Sequence, residues 1–149
     1  MGIWKPIKNF EQNYEINNKG EVRTISHMRN NNNGEYQQKQ KIRKPFMNHS
    51  GYFVINLSIN GIVKTRRISR LVAETFISNP LNKPTVNHKD GNKLNNNIEN
   101  LEWATRKEQT HHMHYVLGVP FSDCKIAKQK QKEQNKYRGY KERGNYDCN

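Results

Sequence analysis

The 149-residue chain is poor in the features that mark several large classes of protein. Its only cysteines are Cys124 and Cys148, which excludes a disulfide scaffold and a four-cysteine zinc ribbon. Hydrophobic residues make up 32% and the mean hydropathy is −1.14, so a large continuous core is not expected. No run approaches the roughly 20 apolar residues that span a bilayer. The opening Met-Gly-Ile-Trp-Lys-Pro lacks the apolar stretch of a signal peptide. Acidic residues are scarce as well: 13 Asp and Glu face 26 Lys and Arg, a formal net charge of +13. Such an excess favours a polyanionic partner, either nucleic acid or an acidic membrane surface. What these absences leave is a basic protein expected in the cytoplasm, made of one domain with a tail or of two small modules.

What is present falls into segments. In residues 1–27, Trp4, Phe10 and Tyr14 lead into Ile16-Asn17-Asn18-Lys19-Gly20-Glu21-Val22, which reads as a tight turn between two short strands. Residues 28–50 are poor in core formers and hold Asn30–Asn33, Lys39, Lys41, Arg43 and Lys44. The composition is that of a flexible basic linker. The densest apolar signal follows. Val54, Ile55, Leu57 and Ile59 predict a strand, and Asn60-Gly61 a hairpin turn into Val63–Ile68. Ile68, Leu71, Val72, Thr75 and Phe76 keep helical spacing. Thr85–Asn87 and Leu101–Ala104 are short strand candidates around a polar loop, and Thr105 with Glu108 forms a capping box. That helix should reach about Leu117, before Gly118 and Pro120. Residues 119–149 read as a basic tail, in which Lys125–Arg143 carries eight basic and two acidic side chains.

The chemistry concentrates at Asn87-His88-Lys89-Asp90-Gly91 and Asn100-Leu101-Glu102-Trp103. A strand, loop, strand and helix with a histidine closing the first strand suit metal-dependent phosphodiester cleavage. Imidazole titrates near neutral pH and can deprotonate a water in line with phosphorus. A divalent cation stabilises charge on the phosphate and the leaving oxygen. Oxygen donors from Asn87 and from the following helix suit magnesium or manganese.

These residues resemble the His-Asn-His (HNH) homing endonucleases of phages and mobile introns. Arg70–Phe76 is similar to the helix that precedes the motif in that family. Residues 4–7 and 14–23 resemble a short DNA-binding module often fused to such nucleases. The resemblance implies His88 as general base, Asn100 as the middle asparagine that orients the loop, and Asn87 as a metal ligand. It places the third motif position on Gln109, where the family usually has Asn or His, with His112 one turn later. Relatives usually carry histidine where this chain has Ser69.

The fold implied is α+β: a small antiparallel N-terminal module (1–27), the linker (28–50), an HNH nuclease domain (51–118) and the tail (119–149). The function implied is that of a DNA endonuclease using Mg2+ or Mn2+, a monomer on double-stranded DNA with no membrane partner. Lys41, Arg43, Lys44, Arg66, Arg67, Arg70, Lys89 and His112 are the candidate DNA contacts. Two alternatives stand beside it: a DNA-binding protein whose nuclease fold has lost its chemistry, and a basic RNA-binding protein. Trp103 reads as core under the nuclease unit. Zinc at His111, His112 and His114 is disfavoured, because adjacent helical positions point about 100° apart.

Overall fold

Residues 2–120 are described by the computed structural model, so the expected tail beyond Pro120 lies outside the described residues. Three strands open the fold: β1 (Trp4–Pro6), β2 (Tyr14–Asn17) and β3 (Val22–Thr24), paired antiparallel in sequence order. The β2–β3 turn is built by Asn17, which is 1% exposed. Its Oδ1 accepts from the amides of Lys19 and Glu21 at 3.0 and 2.9 Å, and its Nδ2 donates to Glu21 Oε2 at 2.6 Å. Gly20 completes the turn at φ +88°, a backbone state that costs glycine little and other residues more.

The segment read from composition as a flexible linker carries strands. β4 (His27–Asn31) and β5 (Gly34–Gln38) form a hairpin in which Asn31 pairs with Gly34. Asn32-Asn33 is thus a two-residue turn, and Gly34 sits at φ +110°. Turn chemistry and backbone pairing define this hairpin. The side chains of β5 are mostly exposed, which is why apolar patterning gives no sign of it. The chain then returns as β6 (Ile42–Arg43) to pair with β3, so the first sheet continues past residue 27.

β7 (Phe46–Met47), β8 (Phe53–Ile59) and β9 (Ile62–Arg67) form a second antiparallel sheet. Asn60 and Gly61 turn β8 into β9 with φ of 49° and 77°, the left-handed pair that a two-residue hairpin requires. Helix α1 (Ile68–Phe76) buries Ile68, Leu71, Val72 and Ala73. Ile68, Leu71 and Val72 join Ile7 and Phe10 of the β1–β2 connection, Ile16 and Val22 of the first sheet, Ile55 and Leu57 of β8, and Leu101 in one core cluster. The N-terminal strands and the segment after residue 51 therefore share one core.

β10 (Thr85–His88) pairs antiparallel with β11 (Leu101–Ala104), setting His88 opposite Leu101 and Asn87 opposite Glu102. Helix α2 (Arg106–His111) follows. Its capping box forms as the spacing predicts: Glu108 Oε2 accepts from the Thr105 amide at 2.7 Å, and Thr105 Oγ1 from the Glu108 amide at 3.3 Å. Trp103 is half-buried rather than core. Its Nε1 donates to the Ile77 carbonyl at 3.0 Å, and the Arg70 guanidinium lies 4.7 Å from its ring centre.

Residues 110–120 belong to a second unit. There His112–Val116 forms a wider, π-type turn, and Leu117 donates to the His112 carbonyl at 3.0 Å. Gly118 at φ +67° follows. No helix among the described residues is long and apolar enough to cross a membrane.

Burial ranks the positions for mutation. Leu71 is 1% exposed and Val63 61%. Leu71→Ala should lower unfolding free energy by about 2–5 kcal/mol, and Val63→Ala should stay within about 0.5 kcal/mol of wild type. Urea titration of the three proteins checks the contrast. Equal losses would mean that α1 is not the centre of the core.

Candidate active site

Consecutive strand residues face opposite sides, so Asn87 and His88 leave β10 in different directions. Beyond them a twelve-residue loop returns to β11 and is tied across its base. The Asn100 amide nitrogen donates to Asp90 Oδ1 at 2.8 Å and to the Asn95 carbonyl at 2.9 Å, and its Oδ1 accepts from the Asp90 amide at 3.0 Å. Its backbone carbonyl accepts from the Lys89 amide at 2.8 Å. Hydrogen bonds from Asn95, and then from Asn100 and the Asn92 amide, hold the Asp90 carboxyl below the usual range. A single asparagine thus joins both ends and the middle of the loop that follows His88.

His88 is 6% exposed. Its Nε2 bonds Asn96 Oδ1 at 3.3 Å, and its ring lies 6.0 Å from that of Tyr52. Burial, partly opposed by the Asn96 bond and the Asp90 charge, lowers its pKa, and Lys93 adds to the shift. The imidazole is therefore neutral at neutral pH. Nδ1 has no partner among the described residues, and no buried side-chain nitrogen or oxygen there lacks one, so Nδ1 opens to solvent. Two cations flank the neighbouring Tyr52 ring: the Arg67 guanidinium at 4.3 Å and the Lys93 ammonium at 4.9 Å.

The remaining candidates divide. Asn87 Nδ2 donates to Glu102 Oε1 at 2.8 Å, and Gln109 Nε2 donates to the Val86 carbonyl at 2.9 Å. Gln109 therefore fastens α2 to β10 one residue before Asn87. Arg66, Arg67, Arg70, Ser69, Tyr52 and Gln109 line one cleft of about 330 Å³. Only Arg67 of its three arginines lacks a carboxylate partner among the described residues. Glu74 takes Arg66 at 2.7 Å and Arg70 at 2.8 Å, and Arg70 also donates to the Pro84 carbonyl at 2.6 Å. Lys89 donates to the Glu99 carbonyl at 2.9 Å. Lys41 and Lys44 are exposed near β6, and Arg43 and Lys44 line a different cleft with Asn96. His112 lies in the second unit.

Comparison with known proteins identifies relatives of this chain. The NUMOD4 motif matches residues 3–58, and the HNH endonuclease model matches residues 69–111. Protein L245 of Acanthamoeba polyphaga mimivirus, described as an uncharacterized HNH endonuclease, is 45% identical over 109 residues, 73% of this chain and 29% of that protein. The DNA endonuclease I-HmuI of Bacillus phage SP01 is 38% identical over 104 residues, 70% of this chain and 53% of that protein. A structure titled for DNA binding and cleavage by the HNH homing endonuclease I-HmuI superposes with a TM-score of 0.67 at 35% identity, covering 87% of this chain and 68% of that one. The chain belongs to the HNH endonuclease family. It spans from about a quarter to about half of the length of the curated relatives it matches.

Nucleases of this family generally use a divalent metal ion; among the described residues no group of three or more His, Cys, Asp or Glu gathers to hold one, and the amide oxygens of Asn87 and Gln109 are the candidate donors. The amide nitrogens of Asn87 and Gln109 are both engaged, so neither side chain can turn its oxygen inward without losing a bond. Both oxygens lack a donor among the described residues, and neither is a buried unsatisfied atom. Two solvent-facing amide oxygens, with the Glu102 carboxylate beside one of them, are hard donors of the kind magnesium and manganese accept.

Sequence reading missed Tyr52, Lys93, Glu74 and Asn96. Asn96 sits in a run of three asparagines, and only its burial separates it from its neighbours. Tyr52 had no signal beyond being an aromatic before a strand.

Helix α2 is held by Glu108, whose carboxyl is lowered to about 2 by the Lys83 ammonium at 2.8 Å and then by the Thr105 amide. A depressed carboxyl contributes stability above its ordinary value of 4.5 that disappears as pH falls through about 2. An NMR titration should find the Glu108 midpoint well under 4.5 in wild type and closer to it in Lys83→Met. An unshifted wild-type midpoint would remove the Lys83 tether.

Proposed function

We propose that this chain is a metal-dependent DNA endonuclease, a homing-type HNH enzyme that hydrolyses phosphodiester bonds of double-stranded DNA. The observation that carries the reading is His88: a neutral imidazole, fixed by one ring nitrogen and open at the other, beside two cations on Tyr52. Its open nitrogen accepts a proton from water as the water oxygen attacks phosphorus and the ester oxygen leaves. Asn100 keeps the loop, and so the ring, in that attitude. Arg67 and Lys93 draw the phosphate toward the ring, whereas Arg66 and Arg70 are half-neutralised by Glu74 and act mainly to shape the cleft.

Asn87 and Gln109 would hold the magnesium or manganese ion through their amide oxygens. When bound, that ion stabilises charge on the phosphate and the leaving oxygen. Lys41, Arg43, Lys44 and Lys89 supply phosphate contacts away from the cut. One histidine site per chain makes a monomer that nicks one strand the simplest outcome. The name and title of I-HmuI, DNA cleavage by an HNH homing endonuclease, support the substrate class.

Supercoiled plasmid with and without Mg2+ or Mn2+ tests the reading. Wild type should convert plasmid to the nicked form only with metal. His88→Ala should cut about 10²-fold more slowly or worse, with duplex affinity within a few-fold. Gln109→Ala should need more metal to reach half-maximal rate. Tight binding without cutting under either ion would make the protein a non-catalytic DNA binder, and preference for structured RNA over duplex would overturn the substrate.

A further inference from the structure

We propose that Asn96 is the positioning residue for His88, and that the β2–β3 turn of the N-terminal strands holds Asn96 in place. The N-terminal sheet would then be part of the cutting apparatus as well as a partner in the core. The inference rests on His88 being the base and goes beyond it.

Asn96 is 6% exposed in a loop whose neighbour Asn95 is exposed. A buried amide is costly unless both of its ends are bonded. Asn96 Nδ2 donates to the Leu94 carbonyl at 3.1 Å, which leaves Oδ1 facing His88 Nε2 at 3.3 Å. Turning the amide over would set Oδ1 against a carbonyl oxygen, two acceptors in contact. Because Oδ1 only accepts, the hydrogen must lie on His88 Nε2, and the lone pair is left on Nδ1, the nitrogen that opens to solvent.

The loop is in turn clamped from the N-terminal side. The Ile98 amide donates to the Asn18 carbonyl at 2.9 Å. A Cβ on Gly20 would come within 2.9 Å of Ile68 Cγ2 and 3.1 Å of Asn96 Cβ. The turn therefore presses against the very residue that bonds the histidine, and Asn17 makes the turn stiff through its three hydrogen bonds. Contact runs without a gap from the turn, through Asn96, to the His88 ring.

The test uses the full chain and two readouts: ¹⁵N signals of the His88 ring without metal, at a pH where it is neutral, and single-turnover cleavage at saturating duplex. Wild type should show one tautomer, hydrogen on Nε2. Asn96→Leu should give a mixture and cut about 10- to 100-fold more slowly, with duplex affinity within a few-fold. Asn96→Gln keeps both the acceptor and the donor and should restore the single tautomer and most of the rate. Gly20→Ala should shift both readouts in the direction of Asn96→Leu. A folded Asn96→Leu with wild-type ring signals and rate overturns the proposal. If Asn96→Leu does not fold, Asn96→Gln decides: one tautomer with near-wild-type rate supports the proposal, and mixed ring signals overturn it. His88→Ala cutting at wild-type rate would instead remove the base itself, while the ring signals would still report on Asn96.

Discussion

Everything chemical in this chain depends on the tie that Asn100 makes across the loop after His88. The twelve-residue loop between two four-residue strands has only Leu94 and Ile98 as apolar side chains, so apolar packing alone gives it little reason to adopt one shape. The Asn100 amide gives them one by bonding Asp90 through both its nitrogen and its oxygen and reaching the Asn95 carbonyl as well. With the loop closed, Asn96 is buried against His88, and the ring acquires a fixed attitude. A short hairpin and one side chain do the work that a larger domain would assign to packing.

The second constraint is scarcity of apolar residues. A chain this polar cannot afford two independent cores, and its described residues form one: α1 is the layer on which the first sheet, the second sheet and β11 meet. That economy explains why the N-terminal strands touch the nuclease loop through Asn18 and Gly20. A segment that in sequence looks like a detachable DNA-binding module is built into the support of the site. The cations follow a similar division. Glu74 takes up Arg66 and Arg70, so the cleft beside His88 carries fewer uncompensated charges than the run of basic residues suggests.

Local signals made much of this legible beforehand. Asn60-Gly61, Asn18-Lys19-Gly20, the Thr105–Glu108 box and the helical spacing of Ile68–Phe76 each act over a few residues, and each appears where expected. The HNH family was legible because the spacing of Asn87, His88 and Asn100 along the chain carries its motif. The β4–β5 hairpin was not, since the mostly exposed β5 leaves no apolar alternation and the turn is written only in Asn32, Asn33 and Gly34. Trp103 looked like core by type, yet its indole nitrogen needs a partner and finds the Ile77 carbonyl at the margin. Tyr52, Lys93 and Asn96 escaped because their places around His88 arise from contacts across the fold, with no spacing to announce them.

The central claim is that a tied loop presents His88 for cutting, and it is tested most directly by breaking the tie and leaving the histidine intact. The measurement is the single-turnover cleavage rate of Asn100→Ala on duplex bound at saturation, beside its binding constant. The account predicts a rate lower by at least about tenfold, the scale on which outer supporting contacts act, with binding within a few-fold of wild type. Wild-type cleavage by a folded Asn100→Ala protein would contradict it.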